Sequence, residues 1–435
     1  MYSALPLSQP WFHSARLRVI RQGGNAREMN SSMDFNERKI IVLTCYCHFI
    51  SHFYMLIFPS LVMPLTEYFQ ISIPEALSLG FLMYLLFGLG ALPMGIATDL
   101  WNGRRMLTLY LLGLGVFSLV AGMSKQAMVL MTSLTFIGFF ASIYHPTGMG
   151  LISKGCKRRG YALGLNGVYG NLGLGLAPLI TGIVTYRFGW HAIYLITGAI
   201  VLITGVVMFF VDIDETPVQT DAVEQGRETK RYILYFAILC VCMMMAGFAN
   251  RGTAVVIPAY FEQVVPFFNR IIDGLSFIRL SGTKTLAATM LTSFVYFFGI
   301  FGQLAGGRLA DRIDLRVGYL AFHVMSLPFM VLMTQFTNIT LFVFTMAHVF
   351  FAWGMQPIEN SLVARLTPEK LRSTSYGLKF ISTFGVGSLS VITAKYLINQ
   401  YGFVYVFWLQ SAVIALLIST IVLLMFLARR ETFRN

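Results

Sequence analysis

The chain has 435 residues, of which 56% are hydrophobic and only 12% are charged, and its formal net charge is +13. A soluble domain carries roughly 25% charged residues, so this composition excludes a globule with a fully water-exposed surface and leaves lipid as the solvent for the apolar side chains. Backbone amides in lipid must bond within their own segment or in a closed barrel, and continuous apolar runs favour helices over alternating strands.

Twelve apolar segments follow one another along the chain, and each is long enough to cross a bilayer, which takes roughly 20 helical residues. They lie near residues 40–65, 76–97, 105–123, 127–152, 161–184, 190–211, 232–260, 286–306, 316–335, 339–364, 374–397 and 403–427. We therefore predict an all-α integral membrane protein with twelve transmembrane helices.

One long charged segment divides these helices into six and six. The predicted domains are an N-terminal tail over residues 1–36, a six-helix bundle over 37–212, a linker over 213–231, a second six-helix bundle over 232–428 and a tail over 429–435. Lys and Arg are concentrated in alternate loops, and such residues accumulate on the cytoplasmic side of membrane proteins. Both tails and the linker are therefore predicted to be cytoplasmic, and no nucleic-acid partner is expected. The expected membrane is a bacterial inner membrane.

The two halves of the sequence resemble each other at offsets of 199 to 213 residues. The matching pairs are Pro59 with Pro258, Asp99 with Asp311, Pro146 with Pro357, Gly164 with Gly377, and Gly189 with Gly402. Transporters commonly arise from such repeats, with the substrate bound between the halves near the bilayer midplane. This predicts two pseudo-symmetric six-helix bundles.

The loop after the second predicted helix reads GIATDLWNGRR, and the loop after the eighth reads GGRLADRIDLR. Both resemble the Gly-x-x-x-Asp…Gly-Arg-Arg/Lys signature of the major facilitator superfamily, with Leu315 in place of the second glycine in the later copy. The resemblance implies that this cluster latches the cytoplasmic side and breaks when the two bundles rock during alternating access. The implied latch residues are Gly95, Asp99, Gly103, Arg104, Arg105, Gly307, Asp311, Arg312 and Arg316.

Within that superfamily, the segments IYHPTGMGLIS and QPIENSLVARLTPEKLRSTSYGLKFISTFGVGSLS resemble the fosmidomycin-resistance-type drug exporters and their bacterial relatives. The segment GLGLAPLITG resembles a fifth-helix motif that is frequent among antiporters, with Ala177 where glycine is usual. The resemblance implies export of a small compound in exchange for another ion.

Ionisable groups inside a membrane are costly and by default mark a functional site. Arg251 and Lys379 lie within predicted helices, His48 and His52 share one face of the first helix, and His145 lies in the fourth. The repeat superposes His52 on Arg251, His145 on Gln356, and Asn166 on Lys379. The family resemblance implies that the helices bearing these groups line a central cavity. Because the groups are rich in hydrogen-bond donors, such a cavity suits a carboxylate, phosphate or phosphonate.

Structural alternatives exist for these residues. Glu359 is able to neutralise either Arg251 or Lys379, since intramembrane charges often pair with each other, and it is included among the cavity residues. His48 is able to bond a backbone carbonyl. His48 and His52 have metal-ligand spacing, but the segment between them lacks the glutamate that a zinc-protease helix carries, so no metal and no cofactor are expected.

These features favour a monomeric secondary transporter that exports a small anionic or amphipathic compound in exchange for protons. His52 is the predicted proton-coupling group, because histidine changes charge near neutral pH. Uptake of an organic anion through the same cavity is the first alternative. A receptor or assembly factor on the same fold, which would bind without flux, is the second. The sequence offers no nucleophile and base arranged for catalysis, so an enzyme is not expected.

Overall fold

The computed structural model describes residues 34–216, 229–266, 284–367 and 372–429. Every regular element in these ranges is a helix, and eleven of the helices are long and apolar enough to cross a membrane. The bent pair Val62–Phe69 and Ile73–Leu89 raises that number to twelve. The predicted all-helical membrane fold is thereby confirmed.

The spans are numbered here in chain order. They are, first, Phe35–Ser60; second, the bent pair of Val62–Phe69 with Ile73–Ser78 and Phe81–Leu89, followed by Ala91–Trp101; third, Gly103–Gly122; fourth, Ala127–Ala141 and Tyr144–Gly155; fifth, Arg159–Phe188; sixth, Trp190–Val207; seventh, Thr229–Val264; eighth, Lys284–Ala310; ninth, Leu315–Leu332; tenth, Asn338–Gly354 and Gln356–Leu366; eleventh, Arg372–Phe380, Ile381–Gly385, Val386–Ser388 and Leu389–Gln400; and twelfth, Phe403–Leu427.

Two glycines turn the chain at equivalent places in the two halves. Gly189 precedes the sixth span with a φ of 81°, and Gly402 precedes the twelfth span with a φ of 98°. A side chain would strain the backbone at such positive φ values, whereas glycine adopts them readily. The two glycines matched by the sequence repeat therefore perform the same backbone role.

The signature glycines of the second and eighth spans each face a proline of another span. A Cβ built on Gly95 would lie 3.2 Å from Cβ of Pro146, and one on Gly307 would lie 3.9 Å from Cβ of Pro357. Pro146 and Pro357 each lie just beyond a break in their span, at the start of the second helical segment. Pro146 and Pro357, which the sequence repeat matches, therefore make the same kind of helix contact in the two halves.

The two halves meet closely where the second span crosses the eleventh. A Cβ on Gly88 would lie only 2.1 Å from the backbone nitrogen of Gly385. The fifth and eighth spans form a second such contact, in which a Cβ on Gly175 would lie 2.7 Å from the ring of Phe297. Small residues allow helices in membranes to approach closely, so these glycines determine how near the two halves come.

The eleventh span is distorted at its middle. Ile381–Gly385 form a π-helical turn and Val386–Ser388 form a 3-10 turn. On the side of the seventh span, a Cβ on Gly247 would lie 2.1 Å from the carbonyl oxygen of Thr383. Single π turns inside helices occur frequently at functional sites. Here the distorted segment lies between the second and seventh spans, and both pack closely against it.

The first residues of the predicted linker form hydrogen bonds with the N-terminal half. The side-chain amide of Asn36 donates to the carbonyl of Asp214 at 2.9 Å. The carboxylate of Glu215 accepts hydrogen bonds of 2.7 Å from the backbone amides of both Gly103 and Arg104, at the start of the third span. An anion is favourable at a helix N-terminus, where backbone donors are unpaired.

Most of the predicted linker and tails lies outside the described residues, because these exclude 1–33, 217–228 and 430–435. The predicted domain boundaries therefore stay predictions there.

We expect Gly88→Ala to push the second and eleventh spans apart, because its new Cβ would collide with the backbone at Gly385. Overpacking of this kind typically costs about 1–3 kcal/mol. The thermal unfolding midpoint of the detergent-purified variant should therefore fall. Gly164→Ala is the matched control, since a Cβ there meets open space. Equal midpoints for Gly88→Ala and the wild type would contradict the close contact.

Candidate functional site

Three imidazoles from the first and fourth spans form one cluster. The ring centroids of His48 and His52 are 4.7 Å apart, and each lies 5.3 Å from the centroid of His145. Their potential ligand nitrogens all lie within 4.8 Å of one another. The structure therefore adds His145 to the pair of histidines seen in the first span.

His48 is oriented by the fifth span. Its Nδ1 lies 2.8 Å from the backbone carbonyl oxygen of Asn166, which only accepts, so Nδ1 carries a proton and, in the neutral ring, Nε2 is the acceptor. The side chain of Asn166 turns to Tyr144 instead, with Nδ2 donating to the phenol oxygen at 2.8 Å. A Cβ on Gly170 would lie 2.6 Å from the His48 ring. Gly170 and Asn166 together form the seat for this imidazole.

Arg251 of the seventh span packs on an aromatic ring of the other half. Its guanidinium carbon lies 4.4 Å from the ring centroid of Tyr84 and 5.6 Å from that of Phe384. Its Nε is buried and has no hydrogen-bond partner. Among the described residues, no carboxylate forms an ion pair with Arg251. A cation–π contact contributes about 0.5–1 kcal/mol at an exposed site and about 2 kcal/mol when desolvated, but it supplies no negative charge.

Aromatic rings lie beside both Arg251 and the histidines, and the sequence did not reveal this arrangement. The ring of His145 stacks on Phe380 at 4.7 Å, and Phe384 lies 5.1 Å from Phe87. The phenol of Tyr84 donates to the carbonyl of Met55 at 2.8 Å, which holds its ring in place. Aromatic residues are common throughout this chain, so no local pattern distinguishes those that line the site.

Lys379 and Glu359 neutralise each other in the C-terminal half. Nζ of Lys379 lies 2.9 Å from Oε1 of Glu359, and the two side chains are 9% and 2% exposed. Tyr319 donates to the other carboxylate oxygen of Glu359 at 2.8 Å, and Lys379 also donates to the side chain of Asn360. Glu359 thus pairs with Lys379 rather than with Arg251. In this conformation Lys379 already has its counter-charge.

Gln356 belongs to a chain of amides that crosses between the halves. Nε2 of Gln303 donates to Oε1 of Gln356 at 2.9 Å, and Nδ2 of Asn171 donates to Oε1 of Gln303 at 2.5 Å. The chain joins the fifth, eighth and tenth spans. Gln303 and Asn171 were missed from the sequence, although both are amides inside otherwise apolar spans.

The predicted latch residues of the N-terminal half bond within that half. Asp99 and Lys154 form an exposed ion pair of 3.1 Å between the second and fourth spans. A guanidinium nitrogen of Arg104 donates to the carbonyl of Val211 at 3.0 Å. The backbone amide of Arg105 donates to the side chain of the residue that caps the third span. A Cβ on Gly103 would lie 2.6 Å from the side chain of the fourth-span residue packed against it.

The later copy of the signature is arranged differently. Arg316 forms a two-pronged ion pair with Asp314, with contacts of 2.7 and 3.0 Å, and also donates to the carbonyl of Ala428 at 2.5 Å. Burial raises the pKa of Asp314, but hydrogen bonds from the side chain and amide of Arg316 outweigh it and hold the pKa below its usual value. Asp311 and Arg312 lie exposed in the turn. Arg316, which completes the motif, is therefore held by its bonds at the start of the ninth span.

Comparisons with known proteins agree with this architecture. The family model of the Major Facilitator Superfamily matches residues 44–278 and 239–434. The riboflavin transporter RibZ of Clostridioides difficile is 24% identical over 344 residues, which cover 66% of this chain and 72% of RibZ. The 4-hydroxybenzoate transporter PcaK of Acinetobacter baylyi is 24% identical over 353 residues, which cover 72% of this chain and 75% of PcaK.

Solved transporter structures share the fold at low sequence identity. The peptide transporter POT in complex with sulfate superposes with a TM-score of 0.70 at 12% identity, covering 90% of this chain and 94% of POT. An inward-facing, unoccupied bacterial homologue of the human lysosomal transporter Spinster superposes with a TM-score of 0.62 at 12% identity, covering 92% and 96% of the two chains. Such likeness concerns the fold alone.

We expect Lys379→Met to destabilise the protein strongly, because it leaves the carboxylate of Glu359 buried without its partner. Removing one member of a buried pair costs about 3–5 kcal/mol. Adding Glu359→Gln should recover most of that loss, since the neutral amide still accepts from Tyr319. Unfolding midpoints of both single variants and of the double variant test this. A double variant less stable than Lys379→Met would count against the pair as the source of compensation.

Proposed function

Because the chain belongs to the Major Facilitator Superfamily, a family of transporters, we propose that it is a secondary transporter that moves a small aromatic anion by alternating access. The observation that carries this proposal is Arg251, a half-buried cation between the halves, whose Nε is buried without a partner and which no described carboxylate pairs with. The guanidinium is charged at any physiological pH. A substrate anion would supply the negative charge that no described carboxylate of the protein places beside Arg251.

The contrast with Lys379 supports a substrate role for Arg251. Both cations lie in spans, and charges there are costly unless they are paired or serve a pathway. Lys379 is paired within its own half by Glu359. Arg251 instead contacts Tyr84 of the other half. A group that contacts the opposite half loses and regains that contact when the halves rock, which couples its ligand to the movement.

The surroundings of Arg251 favour an aromatic cargo. Tyr84, Phe87, Phe380 and Phe384 present ring faces or edges near the guanidinium and the histidines. Aromatic rings stack on one another with a preference beyond simple area burial. The related transporters named for riboflavin and for 4-hydroxybenzoate are named for compounds that contain aromatic rings.

The direction of transport stays the prediction made from the sequence: export in exchange for protons, with His52 as the coupling group. Uptake of an organic anion is the competing candidate. Flux measured in everted and right-side-out vesicles, with and without a proton gradient, distinguishes the two by direction. Binding without flux in either preparation would instead favour the receptor alternative. Cysteine accessibility at residues 213–231 tests the proposed cytoplasmic linker.

We expect benzoate and 4-hydroxybenzoate to raise the unfolding midpoint of the purified protein, because a ligand that binds the folded form stabilises it. Benzyl alcohol keeps the ring without the charge, and cyclohexanecarboxylate keeps the charge without the aromatic ring. Both should stabilise the protein less. Equal stabilisation by benzyl alcohol and benzoate would exclude an anion site.

We expect Arg251→Gln to weaken benzoate binding about tenfold to a hundredfold, the equivalent of a hydrogen bond to a charged group of roughly 1.5–3 kcal/mol. Flux should be lost in parallel, while insertion and folding are retained. Arg308→Gln is the matched control, because Arg308 is exposed at the end of the eighth span. Normal benzoate binding and flux in Arg251→Gln would overturn the proposed function.

We expect Asp99→Asn to slow transport by no more than about fivefold, since an exposed pair contributes about 0–1 kcal/mol. Ligand affinity should not change. Lys154→Met should slow transport equally, and the double variant should be no slower than either single variant. Independent, additive effects of the two substitutions would show that their ion pair does not control cycling.

A further inference from the structure

The three-histidine cluster consists of His48, His52 and His145, whose potential ligand atoms all lie close together. We propose that His48, His52 and His145 form a binding site for a divalent transition-metal ion of the Zn²⁺, Co²⁺ or Ni²⁺ class. This goes beyond the proposed function and does not rest on it, because the site belongs to the N-terminal half alone.

The geometry needs only a small contraction to hold a metal. Zinc binds histidine nitrogens at roughly 2.0–2.1 Å, which places the nitrogens of a tetrahedral site about 3.3 Å apart. The potential ligand nitrogens here lie within 4.8 Å of one another, and the three rings already touch. To close the remaining distance, the imidazoles must rotate about their side-chain bonds.

Two features orient the cluster toward a ligand. A metal-binding histidine usually donates its other ring N–H to a carbonyl or carboxylate, which fixes the ring and its tautomer. His48 has this arrangement, because its Nδ1 donates to the carbonyl of Asn166, which leaves Nε2 of the neutral ring as the ligand atom. Independently, Nε2 of His145 is buried and has no hydrogen-bond partner. A buried polar atom left unpaired costs free energy, and a metal at the cluster would relieve that cost.

The donor set selects the class of metal. Imidazole suits zinc, copper, nickel and iron, whereas carboxylate and carbonyl oxygens suit magnesium and calcium. The group contains three imidazoles and no carboxylate. Three protein ligands also leave a fourth position open for water or another small donor. The stacked ring of Phe380 covers one side of His145 and limits access by bulk water.

The charge of Arg251 and the pH both affect metal binding at this site. Arg251 is close enough to influence His52 electrostatically, so a divalent ion bound here would be repelled by the guanidinium. Removing that charge should strengthen metal binding. Protons would compete with the metal for the same nitrogens, because histidine binds metal only in its neutral form.

The test uses the full chain with an affinity tag that contains no histidine, titrated with Co²⁺ while the visible absorption is recorded. We expect one Co²⁺ per chain and the intense bands of a tetrahedral site. His145→Gln and His52→Gln should each weaken Co²⁺ binding at least tenfold. His348→Gln is the matched control, because His348 is also buried and also bonds a carbonyl, that of Ser326, but lies outside the cluster.

A second variant keeps the proposal testable even where loss of a histidine disturbs folding. Arg251→Gln retains all three ligands and should tighten Co²⁺ binding at least severalfold, although it should weaken benzoate binding. Unchanged Co²⁺ affinity in His145→Gln, His52→Gln and Arg251→Gln would overturn the metal site, as would equal loss in His348→Gln. Metal binding without any benzoate binding would instead retain the metal site and reject the proposed anion transport.

Discussion

The centre of this protein is governed by the cost of a positive charge held away from water. Arg251 lies on the face of Tyr84, its Nε has no hydrogen-bond partner, and no described carboxylate neutralises it. The same molecule shows how such a charge is compensated when it is purely internal, because Lys379 and Glu359 form a buried pair that Tyr319 completes. We propose that this difference between the two cations separates a position that stabilises the fold from one that a ligand occupies.

The two halves share a backbone plan but differ in chemistry. Equivalent glycines turn the chain at Gly189 and Gly402, and equivalent glycine–proline contacts occur at Gly95 and Gly307. The side chains that project between the halves diverge: the N-terminal half contributes three imidazoles, and the C-terminal half contributes cations and amides. Duplication preserves helix geometry because packing constrains it, whereas side chains facing an internal space are constrained only by what they bind.

Contacts between the halves are made largely by small residues. Gly88 of the second span meets Gly385 of the eleventh, and Gly175 of the fifth span meets the ring of Phe297 in the eighth. Contacts of this kind are close but contain few specific bonds, so they are able to separate without leaving many unpaired polar groups. Such an interface suits a protein whose halves must part and rejoin. The amide chain through Gln303 is the more specific link between the halves.

The sequence by itself determined that lipid surrounds the chain, where the helices lie and that the two halves repeat. These follow from the length and composition of segments whose backbone hydrogen bonds must form within each segment. It also identified the polar exceptions, since Arg251, Lys379 and the histidines stand out against apolar surroundings. Only the tertiary structure decided which of these side chains come into contact. Glu359 was equally available to two cations until folding placed it against Lys379, and His145 joined His48 and His52 from a different span. Tyr84 and Phe384 carried no signal because, in a chain rich in aromatic residues, their role depends on which helices pack together.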